Sequence, residues 1–192
     1  MKGFSLAETV IVVAILAVVG GALSSMIVFF YRSNAYLLEA TSALDSANRG
    51  LDSAYSNTRE ASYSEDGAYP IAAAGTSTIT FYSDVDKDGP VEKVRLYLVG
   101  TTFYRGVTNA AGNPPSYAGQ PETTFTISAW VKNATNTPIF RYYDAGGTEL
   151  TGTIDTASVR SIRTRLDVDV NPLRAPNVVT LERTATLRNL RY

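Results

Sequence analysis

Three carboxylates stand at alternate positions before a glycine in Asp84-Val85-Asp86-Lys87-Asp88-Gly89. That spacing can wrap a hard cation such as calcium, which takes six to eight oxygen ligands. An EF-hand loop also requires a glutamate at its twelfth position, where this chain has Arg95, so the segment is not an EF-hand. The flanking stretches Ile79 to Tyr82 and Val91 to Leu98 alternate like strands, so a hairpin tip accounts for the same Asp and Gly residues by turn chemistry. A calcium site at Asp84, Asp86 and Asp88 is thus the second reading of this segment, and no other cofactor is expected. Asp167 and Asp169 form another carboxylate pair. They lie two apart on an alternating strand beside Arg163 and Arg165, which predicts a solvated face and not acid–base catalysis.

Wider chemistry is limited by what is missing. The 192 residues contain no histidine and no cysteine. Ser-His-Asp and Cys-His catalysis, thiolate zinc sites, disulfides and iron–sulfur clusters are therefore excluded together. No nucleophile–base pair remains to suggest an enzyme. A formal net charge of −1 is far from the basic excess of a dedicated nucleic-acid binder. The arginines at 160, 163, 165, 174, 183, 188 and 191 make the carboxyl end locally basic, but the same stretch offers only Tyr192 as a stacking aromatic. Nucleic acid is not an expected partner. Asn133-Ala134-Thr135 matches a glycosylation sequon by pattern alone.

Glu8 is the remaining chemically charged feature, at the edge of an uncharged run from Thr9 to Phe30. Roughly 20 apolar residues suffice to cross a bilayer's hydrocarbon core. A cleaved secretory signal would have a shorter apolar stretch, and its small-residue pattern, here Ala22-Leu23-Ser24, falls inside the run. The run therefore reads as a retained membrane span. A carboxylate this close to hydrocarbon is costly and marks a functional position that requires a partner. Ala17, Gly21 and Ser25 recur at four-residue spacing, a pattern that lets membrane helices approach closely.

Lys2-Gly3-Phe4-Ser5-Leu6-Ala7-Glu8-Thr9-Val10, followed by the apolar run, resembles the class III leader of type IV pilins and type II secretion pseudopilins. The resemblance implies cleavage after Gly3 by a prepilin peptidase and methylation of the new amino terminus at Phe4. It places Glu8 at the fifth mature position, where it would pair with the Phe4 amine of a neighbouring subunit. It also implies an inner-membrane assembly platform and other pilin or pseudopilin subunits as partners. The chain would sit in a bacterial cytoplasmic membrane by a single pass with its head outside the cytoplasm, then in a periplasmic or cell-surface filament. Phe140 to Gly147, Leu166 to Asp169 and Thr186 to Arg191 further resemble J-type minor pseudopilins and PilW-like minor pilins, low-abundance subunits of the filament's start or tip. The alternative is an adhesive or DNA-binding module carried on the filament.

These residues require a frame. No proline precedes Pro70, so a continuous helix from about Phe4 to Asn57 is predicted, running about 80 Å at 1.5 Å per residue. Leu37, Leu44 and Leu51, with Tyr55 beyond, give its second half an apolar stripe to lay on the rest of the chain. From Ala61 the composition turns to Thr, Val, Tyr, Gly and Pro, the vocabulary of strands and turns. Strands are predicted at 78–82, 91–99, 102–107, 123–131, 139–143, 159–170 and 178–190. The clearest is the alternation of Ile162, Thr164, Leu166, Val168 and Val170 facing inward. The expectation is an α+β, pilin-like fold. It comprises a leader at 1–3, a transmembrane half-helix at 4–30, an amphipathic half at 31–60, and an antiparallel β head at 61–192.

Overall fold

A computed structural model describes residues 5–133, 136–170 and 178–190. The α+β fold is present: one long helix, α1 (Leu6–Arg59), precedes two antiparallel sheets. The chain divides into two compact units, one through Thr41 and one from Ser42 onward.

The first unit is helix alone. The absence of proline lets the backbone ladder run without interruption, and hydroxyls within it bond back to the preceding turn. Thr9 Oγ1 donates to the Ser5 carbonyl at 3.0 Å and Ser25 Oγ to the Gly21 carbonyl at 2.9 Å. These two hydroxyls of the apolar run are in this way satisfied inside the helix. An added Cβ at Gly20 or Gly21 would meet nothing within 4 Å, so both glycines face open space.

In the second unit, β1 (Ile71–Ala74), β2 (Thr78–Ser83), β3 (Glu92–Val99), β4 (Thr102–Thr108) and β5 (Thr123–Ser128) form a meander in sequence order. The other sheet has the order β7-β6-β8-β9, from β6 (Phe140–Tyr143), β7 (Glu149–Leu150), β8 (Ser161–Val168) and β9 (Val179–Thr186). Each of the seven predicted segments holds one strand. β1 and β7 lack a sequence signal, since Ala-rich and two-residue strands carry no β-branched periodicity. β5 stops at Ser128 because the chain then leaves its sheet. Val131 donates its N–H to the Thr101 carbonyl at 2.9 Å, between β3 and β4, and bridges Val168 at the end of β8. A second seam joins the sheets where Ile139 and Phe140 both donate to the Thr76 carbonyl, at 2.8 and 3.0 Å. Tyr142 adds an O–H bond to the Gly75 carbonyl at 2.7 Å, and its burial pushes the phenol's pKa up.

The core lies between the sheets and the last five turns of α1. Phe81, Leu96 and Phe103 from one sheet, Phe140, Ile162 and Leu166 from the other, and Leu51 from the helix are each at most 2% exposed. The predicted leucine stripe is only partly realised. Leu51 is buried, but Leu44 is half-buried and Leu37 is 57% exposed. The face that meets the sheets is instead Ala43, Ala47, Gly50, Leu51, Ala54 and Thr58. Small residues allow the helix axis to approach the strands closely: a Cβ on Gly50 would stand 2.7 Å from Ile127 Cγ2 and 3.2 Å from its carbonyl oxygen. Ala43 and Ala47 cluster with Val168, alongside Leu181. Asp52 pairs with Arg183 at 2.8 Å and Ser53 Oγ accepts from Arg105 at 3.3 Å, so α1 engages β9 and β4 together.

Candidate functional site

Gly3 and Phe4 lie outside the described residues. Glu8 sits in the first turn of α1, where a carboxylate is favoured by the helix dipole. Its N–H donates to Ser5 Oγ at 3.3 Å, the Ser-x-x-Glu spacing of a capping box. Sequence reasoning missed this local role although the spacing carried it. On both sides of Glu8, every large apolar side chain from Leu6 to Phe30 is at least 46% exposed. The helix contains a window long and apolar enough, by length and composition, to cross a membrane. Ala17, Gly21 and Ser25 lie on this uncovered surface.

The acidic segment is the tip of the β2–β3 hairpin. Ser83 opposes Glu92 directly in the ladder, and residues 84–91 form the turn. Asp84 organises it: its Oδ1 accepts from Lys87 N–H at 2.7 Å and its Oδ2 from Gly89 N–H at 3.2 Å. Lys87 (φ 63°) and Gly89 (φ 108°) take the left-handed conformations this tight tip requires, and the glycine does so without steric cost. Asp86 Oδ1 accepts from Asp88 N–H at 3.3 Å. The structure adds a fourth carboxylate, Glu92, which is 2% exposed and accepts from Val85 N–H at 2.9 Å. One oxygen from each of Asp84, Asp86, Asp88 and Glu92 lies within 4.8 Å of the others, so the four could together face one hard cation. Burial raises the pKa of Glu92, aided by the charges of Asp86, Asp84 and Asp88. Desolvation, a hydrogen bond with Asp86 and the charges of Asp86 and Asp84 raise that of Asp88. The sequence signal for Glu92 is its place at the start of the returning strand, which hairpin register brings back to the tip.

The hairpin is anchored at its base. Val91 N–H donates to Glu65 Oε1 at 2.8 Å, and the Tyr117 hydroxyl bonds both the Val91 carbonyl (2.5 Å) and the Glu65 N–H (3.2 Å). Desolvation raises the pKa of Tyr117, so its hydroxyl keeps its proton.

Asp167 and Asp169 are not a solvated face: they are 5% and 6% exposed. The segment leaving β5 covers this end of β8, with Lys132 N–H on the Asp167 carbonyl at 2.7 Å and Asp169 N–H on the Trp130 carbonyl at 3.1 Å. Arg165 and Thr180 hydroxyl donors satisfy the Asp167 carboxylate at 3.0 and 2.7 Å, and that hydrogen bond raises the Arg165 pKa. Other arginines are similarly engaged within the fold. Arg95 holds Glu122 at 2.6 Å and lies 4.0 Å over the Tyr97 ring, Arg163 lies 5.0 Å over Tyr143, and Arg160 donates to two carbonyls. Arg174, Arg191 and two residues of the Asn133 sequon fall outside the described residues. Asn133 itself braces β8, donating to the Arg165 carbonyl at 3.1 Å and accepting from Asp167 N–H at 3.0 Å.

Comparison with family models finds no match, and comparison with curated proteins finds none either.

Proposed function

We propose that the chain is a minor pilin or pseudopilin subunit, processed after Gly3, methylated at Phe4 and assembled through its amino-terminal helix into a type IV pilus or type II secretion pseudopilus. The observation that carries this reading is the apolar surface of α1. An apolar face that no part of the described chain covers needs lipid, other helices, or both in succession. A plain lipid anchor gives no reason for a carboxylate at the start of the apolar run or for one helix continuing into the core of the head. A subunit that moves from membrane to filament accounts for both. The helix is held by lipid first and by neighbouring helices afterwards, and Glu8 meets a cationic partner only in the second state. The resemblance of residues 2–10 to the class III leader supplies the processing enzyme and assembly platform as partners. On this reading the head lies outside the cytoplasm.

A photo-crosslinker at Val13, in the middle of the exposed run, tests the assembly role in the native host. The expected product is a set of adducts with other subunits that carry the same leader. Adducts with lipid alone would overturn assembly and leave an anchored head, the arrangement expected of an adhesive or DNA-binding module.

A further inference from the structure

We propose that the β2–β3 hairpin tip is a calcium site formed by Asp84, Asp86, Asp88 and Glu92. The proposal stands on the head alone and is independent of how the helix assembles. The four carboxylate oxygens fall within 4.8 Å of one another. That is the span of a ligand shell whose metal–oxygen distance is about 2.4 Å, inside the calcium range. All four donors are hard oxygens, with no nitrogen or sulfur to favour a transition metal. Calcium accepts many carboxylates in flexible geometry, whereas magnesium keeps several waters and takes one or two.

Two further features of the buried side point to a ligand. Glu92 is 2% exposed, yet among the described residues no cationic side chain pairs with it. Its hydrogen bond to Val85 N–H leaves a buried charge facing three more of the same sign. Buried carboxylates are ordinarily paired or bound to a metal. The second feature involves no acid. Ser83 is fully buried and its hydroxyl has no hydrogen-bond partner. Ser83 stands directly opposite Glu92 in the ladder and precedes Asp84 in the chain, so its side chain shares the face of the Glu92 carboxylate. Directly opposed residues hold their Cβ atoms about 4.5–5.5 Å apart. A buried, unpaired hydroxyl therefore stands beside Glu92 on the same face of the hairpin. A hydrated calcium ion supplies the charge that Glu92 lacks and a water with which the Ser83 hydroxyl can bond.

The site would brace more than its own turn. Val91, between Asp88 and Glu92, is the residue held by Glu65 and Tyr117. Fixing the tip would also fix the loop that follows α1 and the connection between β4 and β5.

The full-length protein in detergent, stripped with chelator, is titrated with calcium chloride by calorimetry, and its unfolding temperature is followed in parallel. One calcium per chain is expected, with a Kd between about 10⁻⁵ and 10⁻³ M and a rise in Tm on saturation. Magnesium chloride at equal concentration should not compete. Asp86→Asn, at an exposed position, and Glu92→Gln should each weaken binding at least about tenfold, and Ser83→Ala by about tenfold as an outer-shell change. If Glu92→Gln does not fold, the Asp86 variant decides. No saturable heat or Tm shift up to about 5 mM calcium, above the range of weak extracellular sites, would overturn the proposal. Unchanged affinity in Asp86→Asn, or equal binding of magnesium, would overturn it as well.

Discussion

Replacing Glu8 with glutamine is expected to leave the protein in the membrane and remove nearly all of it from filaments. Glutamine is chosen because Ser5 and residue 8 form a capping pair, with the backbone N–H of Glu8 bonded to Ser5 Oγ. Ser-x-x-Gln keeps that box, so the start of α1 stays intact and only the charge is lost. Insertion should not suffer, because removing a carboxylate from the edge of an apolar run lowers the cost of burial. Assembly should suffer severely. In a bundle of apolar helices the Glu8 carboxylate would face the amine of a neighbour's Phe4, and removing one member of a buried pair costs about 3–5 kcal/mol by stranding the other. That corresponds to incorporation reduced on the order of a hundredfold or more. Immunoblots of membrane and sheared-filament fractions read both quantities. Equal incorporation of Glu8→Gln would show that Glu8 serves only the helix cap.

Phe103→Ala is expected to destabilise the head by about 3–5 kcal/mol, the usual range for a fully buried phenylalanine. Phe103 is 0% exposed on β4, and its ring centroid lies 6.1 Å from that of Phe140 on β6. It is therefore one of the places where the five-stranded sheet touches the four-stranded one. For a chain of this size each kcal/mol shifts Tm by roughly 2–4 °C, so a fall of about 6–20 °C should appear in thermal unfolding. Val99→Ala, at a side chain 59% exposed on the neighbouring strand, should stay within about 0.5 kcal/mol of the parent. Equal Tm values for the two variants would mean that the sheets do not share one core.

Much of this frame is legible in the residues, and the exceptions have a common cause. The long helix follows from an apolar run and a proline-free stretch, both local properties. β8 is legible because Ile162, Thr164, Leu166 and Val168 alternate, and all four are buried. The same alternation fails for Asp167, because residues 130–133 return from the other sheet to cover it, a contact 34 residues away in sequence at Asn133. The leucine repeat locates the buried helix face only in part, at Leu51 and half-buried Leu44 but not at exposed Leu37, for a related reason. Spacing reports which residues are apolar, but the closeness of helix and sheet selects small ones, and Ala43, Ala47 and Gly50 meet strands that sequence spacing cannot locate. At the acidic tip, the alternating aspartates are plain to see. Glu92 and Ser83 become part of the cluster only through hairpin register.

The central claim is that the apolar helix is a processed assembly stalk, and the mass of the mature amino-terminal peptide from the native host tests it most directly. The expected peptide begins at Phe4 and carries one added methyl group on its amine. An intact Met1, or a new terminus beyond Phe30, would contradict it: the first would leave an unprocessed anchor, the second an exported head with no helix to assemble.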